Sequence, residues 1–366
     1  MKKIAVFFGG ESVEHDVSVI TGVTMLNSID KTRYQTIPVY VDKDGKFFTG
    51  DVLYDLDGYK KLDCNRLKRV TLLPSDNGLY QINKSKLKKI CSLSAIVNCM
   101  HGGCGEDGSI VGLFNVSKIP VCSSGITASS VSMDKAFTKI VLKGLNVKHL
   151  PAVKINSVYD LHKRENELSE FPLIVKPNLL GSSIGITKAE NRSQLINGVL
   201  LALKYNDSAI IEPCLENFME INCAVYKDYN GKIVVSECER PITDRDILDF
   251  NDKYKKGERE FPAKVDKRIT DKIKRITQKV YEACNFFGII RIDYMVKDNQ
   301  VYLNEINSVP GSLAYYLFSN TLKDFSLILT DLIEKAIKDN EKNKTSVKTF
   351  NSGILNGFGA KGNKQA

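Results

Sequence analysis

The chain has 366 residues, is 43% hydrophobic, and carries 52 Lys and Arg against 43 Asp and Glu, a net charge of +9. That length and apolar content can fill the cores of two or three domains, while no apolar run approaches the roughly 18 residues that a membrane span needs. Nine cysteines lie scattered without a C-x-x-C spacing. This argues against structural zinc, even where Cys99, Cys104 and Cys122 come near His101, and predicts free, mostly buried thiols in a reducing cytoplasm.

Met1-Lys2-Lys3 followed by Ile4–Phe8 superficially resembles a signal peptide. The apolar run is too short and meets Gly9-Gly10-Glu11, so it reads as a buried first strand. Val13–Leu26 then has helical spacing, which makes a strand–glycine–helix opening. Thr36–Tyr40 reads as a second strand, and residues from Gly45 to Asn83 as an irregular polar excursion from the sheet. Lys84, Lys86, Lys88 and Lys89 suggest a basic surface helix. Leu93–Met100 is a buried strand running into His101-Gly102-Gly103, Val111–Asn115 is helical and Pro120–Cys122 strand-like. Residues 1–125 therefore read as a parallel α/β domain.

Ser132–Leu145 has the spacing of one amphipathic helix. Strands are predicted at Ala152–Ile155, Leu173–Lys176, Gly185–Lys188, Ala209–Glu212, Met219–Tyr226 and Lys232–Glu237, before a polar loop at Thr243–Pro262. A charged helix over Asp266–Asn285 and a last amphipathic helix over Leu322–Asp339 bracket a hairpin. Residues 340–366 are expected to be a disordered basic tail, with five lysines against Glu341. Neither basic patch is interleaved with aromatics as a single-strand platform would be, so no nucleic-acid partner is expected.

The hairpin carries the most chemistry. Runs Ile289–Val296 and Gln300–Ile306 flank the turn Lys297-Asp298-Asn299. Alternation puts Arg291 and Asp293 on one face, and Glu305 and Asn307 on one face of the return strand. Paired, they set a cation beside three hard oxygen ligands, a composition suited to Mg²⁺ and a polyphosphate. Ordinary surface salt bridges would explain a solvated hairpin, but Ile290, Ile292, Tyr302, Leu303 and Ile306 argue for a buried one.

Two other motifs mislead. Gly103-x-Gly105-x-x-Gly108 matches a dinucleotide fingerprint, yet the region about 20 residues on reads Ala128-Ser129-Ser130 instead of offering a ribose-binding acid. Gly181-Ser182-Ser183-Ile184-Gly185 matches a nucleophile elbow, yet all four histidines, His15, His101, His149 and His162, precede it, against that fold's order. As a phosphate loop the second motif works better: the strand Phe171–Pro177 delivers Lys176, and glycine amides and serine hydroxyls follow at once. Lys135 supplies a second candidate cation, and Glu212 ends a strand in a short linker able to meet a base and ribose.

Taken in order, GGESVEHDVS (9–18), HGGCGEDGSIVG (101–112), SMDK (132–135), IVKPNLLGSSIGI (174–186), DKY (252–254), RIDY (291–294) and NEINSVPGS (304–312) resemble the ATP-grasp enzymes. Within them the chain closely resembles the D-alanine–D-alanine ligase family, from Lys3 to about Phe318. The resemblance implies an α/β and α+β fold of three domains, in ATP-grasp architecture with an N-terminal Rossmann-like parallel-sheet domain. The expected boundaries are 1–125, 126–213 and 214–339. It also implies a cytoplasmic, homodimeric enzyme that joins two D-alanines for peptidoglycan through an acyl phosphate.

By the same resemblance Glu14 holds the first substrate's ammonium, although a plain helix cap explains a carboxylate there as well. Ser182 and Tyr254 link to Glu14, and His101 sits beside the first substrate. Lys135, Lys176 and Ser183 meet the phosphates, while Glu212, Leu215 and Glu220 bind adenosine. Glu216 competes with Glu220 for the ribose. Asp293, Glu305 and Asn307 hold two Mg²⁺ ions, with Mn²⁺ an alternative and a monovalent cation left open. Arg291 and the Gly311 amide stabilise the oxyanion. For the second substrate the family pattern breaks: after Pro310-Gly311 an apolar residue, threonine and then a carboxylate-binding serine are usual, and this chain has Ser312 to Leu317 instead, with Tyr316 near the serine position and no arginine near Leu317. Lys253-Tyr254 favours an amine nucleophile, hence D-alanine, with D-serine or D-lactate the alternatives. A non-catalytic nucleotide-binding relative would have lost Arg291, Ser182 or a metal ligand, and none is lost.

Overall fold

The computed structural model describes residues 1–242 and 258–358. Strand β1 (Lys2–Gly9) is buried over its last six residues and leads through Gly9-Gly10 into helix α1 (His15–Ser28). Gly9 sits at φ +89°, and a Cβ on it would come within 2.2 Å of the Val41 carbonyl oxygen. No other residue makes this turn without moving the neighbouring strand. Then follow β2 (Tyr34–Val41), β3 (Phe47–Thr49), β4 (Lys68–Leu73), β5 (Asp76–Asn83), β6 (Lys86–Ser92) and β7 (Ala95–Asn98), in the sheet order β6-β5-β4-β3-β2-β1-β7.

Only β2, β1 and β7 are parallel; β3 to β6 add an antiparallel extension. The expected excursion is thus part of the sheet. The lysine-rich segment is the exposed edge strand β6 and not a helix: Lys86, Lys88 and Lys89 stand in water on a free edge, where charge discourages further strand pairing. Pro120–Cys122 contributes only a single parallel bridge, Ile96 to Val121.

Helix α2 (Ser109–Val116) is followed by two helices where one was expected, α3 (Ile126–Met133) and α4 (Lys135–Gly144). Asp134 separates them with extended backbone and accepts the Phe137 N–H at 2.8 Å as the cap of α4. A second, antiparallel sheet has the order β10-β9-β11-β8, from β8 (Val153–Ile155), β9 (Leu173–Pro177), β10 (Thr187–Ala189) and β11 (Ala209–Pro213), with α5 (Val158–Lys163) and α6 (Arg192–Tyr205) between its strands.

The third sheet begins with β12 (Met219–Lys227) and β13 (Ile233–Val235); beside it β14 (Arg240–Pro241) pairs with β15 (Arg259–Glu260). After α7 (Lys267–Ala283) come β16 (Ile290–Lys297) and β17 (Gln300–Asn307), and the sheet order is β13-β12-β16-β17. Asp298 and Asn299 at φ 49° and 60° make the two-residue turn expected of a twisted hairpin.

A kinked turn segment, Gly311–Leu317, with Ser312, Leu313 and Ala314 at left-handed φ of 50°, 48° and 48°, leads to α8 (Leu322–Lys344), five residues longer than its periodicity predicted. Helix α8 packs on the first unit as well as on β12 of the third sheet, whose Ala224 and Tyr226 belong to the same core. Phe325, Leu329 and Ile333 share a core with Phe8 and Leu26 of the first unit, and Tyr34 donates to Glu334 at 2.6 Å. All nine cysteines are free thiols. Among the described residues no helix is long and apolar enough to cross a membrane.

Candidate active site

The second and third sheets face each other across a cleft lined by Lys135, Lys176 and Glu212 on one side and Asp293, Met295 and Glu305 on the other. A second cavity, of about 500 Å³, lies toward the first sheet, lined by Glu14, His101, Arg291, Asn307, Gly311 and Tyr316, among others. Glu220 lines both, because it shares a face of β12 with Asn222, which pairs with Asp293.

The hairpin register makes this division. Arg291 lies opposite Asn307 and Asp293 opposite Glu305, so the four side chains form a square on one face. Arg291 grips both oxygens of Asp293, at 2.7 and 2.8 Å, and donates to the Tyr316 hydroxyl at 3.2 Å. Burial alone would lower the Arg291 pKa, but Asp293 and Tyr316 hold it well above its usual range. Asn307 donates to Asp293 at 3.0 Å. Glu305 pairs with Lys135 at 3.3 Å, and Lys135 also donates to the Leu180 carbonyl at 2.6 Å. Asn178 pins the start of α4 to the end of β9, accepting the Ala136 N–H at 2.9 Å.

Do these residues suit a divalent cation? Among the described residues no group of three or more His, Cys, Asp or Glu could hold a metal. Two carboxylates and one amide are nonetheless the all-oxygen set that suits Mg²⁺, which keeps water and binds substrate phosphates instead of filling a protein cage. A half-turn of the Asn307 amide exchanges its nitrogen for an oxygen facing the same point. The donor chemistry fits.

Glu14 precedes α1, yet its side chain makes no capping bond. The plain cap reading therefore fails. Instead Ser182, 168 residues away, donates to the Glu14 carboxylate. A Cβ on Gly102 or Gly181 would come within 2.8 and 2.9 Å of Glu14 Oε2, so two glycines make room for this buried acid. Ser182 and Ser183 both take positive φ, 55° and 58°, which bends the loop over the cleft. Tyr254 and Lys253 lie outside the described residues.

His101 is fully enclosed. Thr21 Oγ1 lies 2.8 Å from its Nε2 and accepts the Ser312 N–H at 2.9 Å. The threonine proton is thus available to Nε2, leaving the ring proton on Nδ1 toward the Val309 backbone. Burial pushes the imidazole down to about 4. Between about pH 6.5 and pH 4 the unfolded chain binds a proton that the folded site refuses, so stability falls with falling pH by about 3 kcal/mol in total. We expect the unfolding free-energy difference between wild type and H101N to shrink by that amount from pH 7 to pH 4. A difference that stays constant across this range would refute the assignment. Glu106, which burial and then Glu14 push upward, acts with the opposite sign but in both proteins.

The other expected residues are placed as follows. Lys176 and Glu212 pair at 2.8 Å. Ser183, Leu215 and Glu220 line the cleft, and so does Glu216, which is held at the rim by Lys188 at 2.6 Å. Gly311, Ser312 and Tyr316 line the second cavity. Leu317 does not: it is 3% exposed and belongs to the same buried core as Phe325. Sequence reasoning missed Thr21, Glu106, Asn222, Glu239 and Arg259. Arg259 pairs with Glu239 at 3.0 Å and stacks over Tyr316, 4.7 Å from its ring centre. Only Glu106 had a local signal, as the acid inside the glycine motif.

Two sheets closing on a cleft of lysines and carboxylates, beside a glycine-turn domain, define an ATP-grasp enzyme. Family models named D-ala D-ala ligase N-terminus and C-terminus match residues 3–124 and 143–338. A D-alanine–D-alanine ligase of Thermosipho africanus is 35% identical, over 97% of this chain and 98% of its own length. The solved D-alanine–D-alanine ligase of Helicobacter pylori superposes with a TM-score of 0.76 at 28% identity, over 92% of this chain and 98% of that one. A D-Ala:D-Ser ligase from Enterococcus faecalis has the same TM-score, 0.76, at 24% identity, over 93% and 99%, a likeness of fold alone. The chain belongs to the D-alanine–D-alanine ligase family.

Proposed function

We propose that this protein joins two D-alanines into D-alanyl-D-alanine at the expense of ATP, for peptidoglycan precursors. One observation supports this above the others: a single hairpin face spans two cavities, with Asp293 and Glu305 in the cleft and Arg291 and Asn307 in the neighbouring cavity. A phosphoryl group held at that boundary meets a carboxylate held beyond it.

In this reading the cleft takes ATP, with Lys135, Lys176 and Ser183 on the phosphates and Leu215 beside the adenine. Glu220 takes the ribose, since Glu216 is engaged by Lys188 at the rim. Asp293, Glu305 and Asn307 would hold Mg²⁺, two ions in the expected state and replaceable by Mn²⁺, which supplies charge neutralisation for the polyphosphate. A monovalent cation has no assigned ligands here.

Glu14 holds the ammonium of the first D-alanine, so its carboxylate projects toward the γ-phosphate. Transfer breaks the bond between that phosphorus and the ADP oxygen and forms D-alanyl phosphate. The free amine of the second D-alanine attacks the acyl carbon, Arg291 and the Gly311 amide receive the oxyanion, and phosphate departs. Neutral His101 packs beside the first substrate without adding charge. Tyr316 and Arg259 offer donors to the second substrate's carboxylate, and the family resemblance assigns Lys253 and Tyr254 to the same substrate. Residues 1–125, 126–213 and 214–339 are the proposed domains, and a cytoplasmic homodimer is the proposed working form.

The test is phosphate release from Mg-ATP with D-alanine alone and then with D-serine or D-lactate, with the product read by mass. D-alanine-dependent turnover giving only the D-Ala-D-Ala dipeptide is the expected result. A mixed product would move the second-substrate assignment, and no turnover despite ATP binding would overturn the ligase reading.

A further inference from the structure

Lys139 stands one turn after Lys135 on α4, and nothing above uses it. Its side chain is 10% exposed, and its ammonium pairs with Glu212 Oε1 at 2.8 Å and donates to the Leu150 carbonyl at 2.8 Å. Lys176 pairs with the other oxygen, Oε2, also at 2.8 Å. One carboxylate, 3% exposed, therefore has two lysines, one on each oxygen. Burial alone would raise the Glu212 pKa, and Lys176 and Lys139 together bring it below the ordinary glutamate range. Burial lowers the Lys139 pKa, and Glu212 opposes that shift.

The two lysines are not equivalent. Lys176 and Glu212 both line the nucleotide cleft, whereas Lys139 does not. It reaches Glu212 from α4, one turn beyond Lys135, without lining the cleft itself. The trio carries one net positive charge, and the cation facing the cleft is Lys176. Without Lys139 the remaining pair is neutral, and Lys176 could meet an anion only by leaving a buried carboxylate unpaired. An uncompensated charge in such a place is strongly unfavourable.

We propose that Lys139 is a positioning residue for the nucleotide: it neutralises Glu212 without entering the cleft, so that Lys176 keeps its charge for the polyphosphate. The proposal rests on the reading that the cleft takes ATP. It distinguishes the two conditions under which Lys176 works. With Glu212 already matched by Lys139, an incoming phosphate shares Lys176. With Lys139 removed, the phosphate competes with Glu212 for it.

The experiment measures affinities of ATP, ADP and adenosine for the full chain by titration calorimetry, in wild type, K139M, K139R and K139M/E212Q. K139M should bind ATP and ADP about 10- to 100-fold more weakly, the loss expected for a charge-assisted contact, with adenosine changed less than about threefold. K139R, which keeps the charge, should stay within about threefold of wild type for ATP. The decisive variant is the double one: glutamine does not hold Lys176 by charge, so K139M/E212Q should recover most of the preference for ATP over adenosine that K139M loses, a ratio from which any cost of E212Q to the adenosine contact cancels.

A lysine that merely supports the fold predicts otherwise, with adenosine weakened as much as ATP and no recovery in the double variant. Either result would overturn the proposal. If K139M does not fold, E212Q is compared with K139M/E212Q. Charge balance then predicts ATP affinities within about threefold of each other, and a larger gap overturns it. Wild-type protein that bound ATP no better than adenosine would defeat the nucleotide reading itself. Discrimination in wild type that survives unchanged in K139M would defeat only the role of Lys139.

Discussion

Replacing Arg291 by alanine should lower kcat/KM by about 10²- to 10³-fold and stability by about 3 kcal/mol. The two losses have one origin. Arg291 supplies two of the three hydrogen bonds found on the Asp293 carboxylate, which is 2% exposed, and Asn307 supplies the third. Alanine leaves a buried carboxylate with a single neutral donor, which destabilises the fold whether or not the site is catalytic. It also removes the donor that faces the second cavity through Tyr316. Lysine separates the effects: R291K keeps the charge beside Asp293 and should cost about 1 kcal/mol, but one ammonium cannot reproduce the planar two-point grip. Its activity should still fall by about two orders of magnitude. Urea denaturation and steady-state turnover on both variants check this. R291K turning over within about threefold of wild type would show that Arg291 only supports Asp293.

The hairpin was legible because three local rules coincide in it. Ile290, Ile292 and Ile306 mark the buried face, Asp298-Asn299 tolerates the positive φ of a tight turn, and side chains alternate by two from Arg291 to Asp293 and from Glu305 to Asn307, up to a register shift that brings Leu303 into the same core. The family motifs carried the remaining site residues by resemblance. What local reasoning could not supply were contacts made across the fold. Glu14 looked as much like a helix cap as a ligand, and only the meeting with Ser182 decides between them. Thr21 bridges His101 and Ser312 from the middle of an ordinary helix, where a threonine carries no signal.

The misread segments share a cause. Residues 68–92 form strands with one exposed face, so their apolar alternation is thin, and lysines that keep an edge strand soluble resemble the solvated side of a helix. Asp134, by contrast, was a readable N-cap inside a run taken for one helix. The second-substrate pocket was least legible. Tyr316 turns its hydroxyl to Arg291, Leu317 turns into the core, and Arg259 arrives from a different strand.

Phe325→Ala should cost about 3–5 kcal/mol, a large part of the stability of an ordinary domain. Phe325 is fully buried at the start of α8, and its ring lies 5.9 Å from that of Tyr315. The core it belongs to draws on β1 and α1, about 300 residues earlier in the chain, and on Tyr226 of β12. The cavity left by alanine therefore opens between the first unit and the C-terminal helix, and both lose contacts at once. A second consequence reaches the site. The turn segment Gly311–Leu317 rests on this core through Leu313, Ala314 and Leu317, while its Ser312 amide is tied to Thr21. Loosening the core should blur the position of the Gly311 amide, so the KM for amino acid should rise while ATP affinity, set in the cleft between the other two sheets, stays within about threefold. F325L, which keeps most of the volume, should cost only about 1 kcal/mol and leave both constants near wild type. Denaturation midpoints of the two variants, read with substrate titrations, test the argument. An F325A loss below about 1 kcal/mol would mean that α8 is not part of the first unit's core, and that the second-substrate end of the site is held by the third sheet alone.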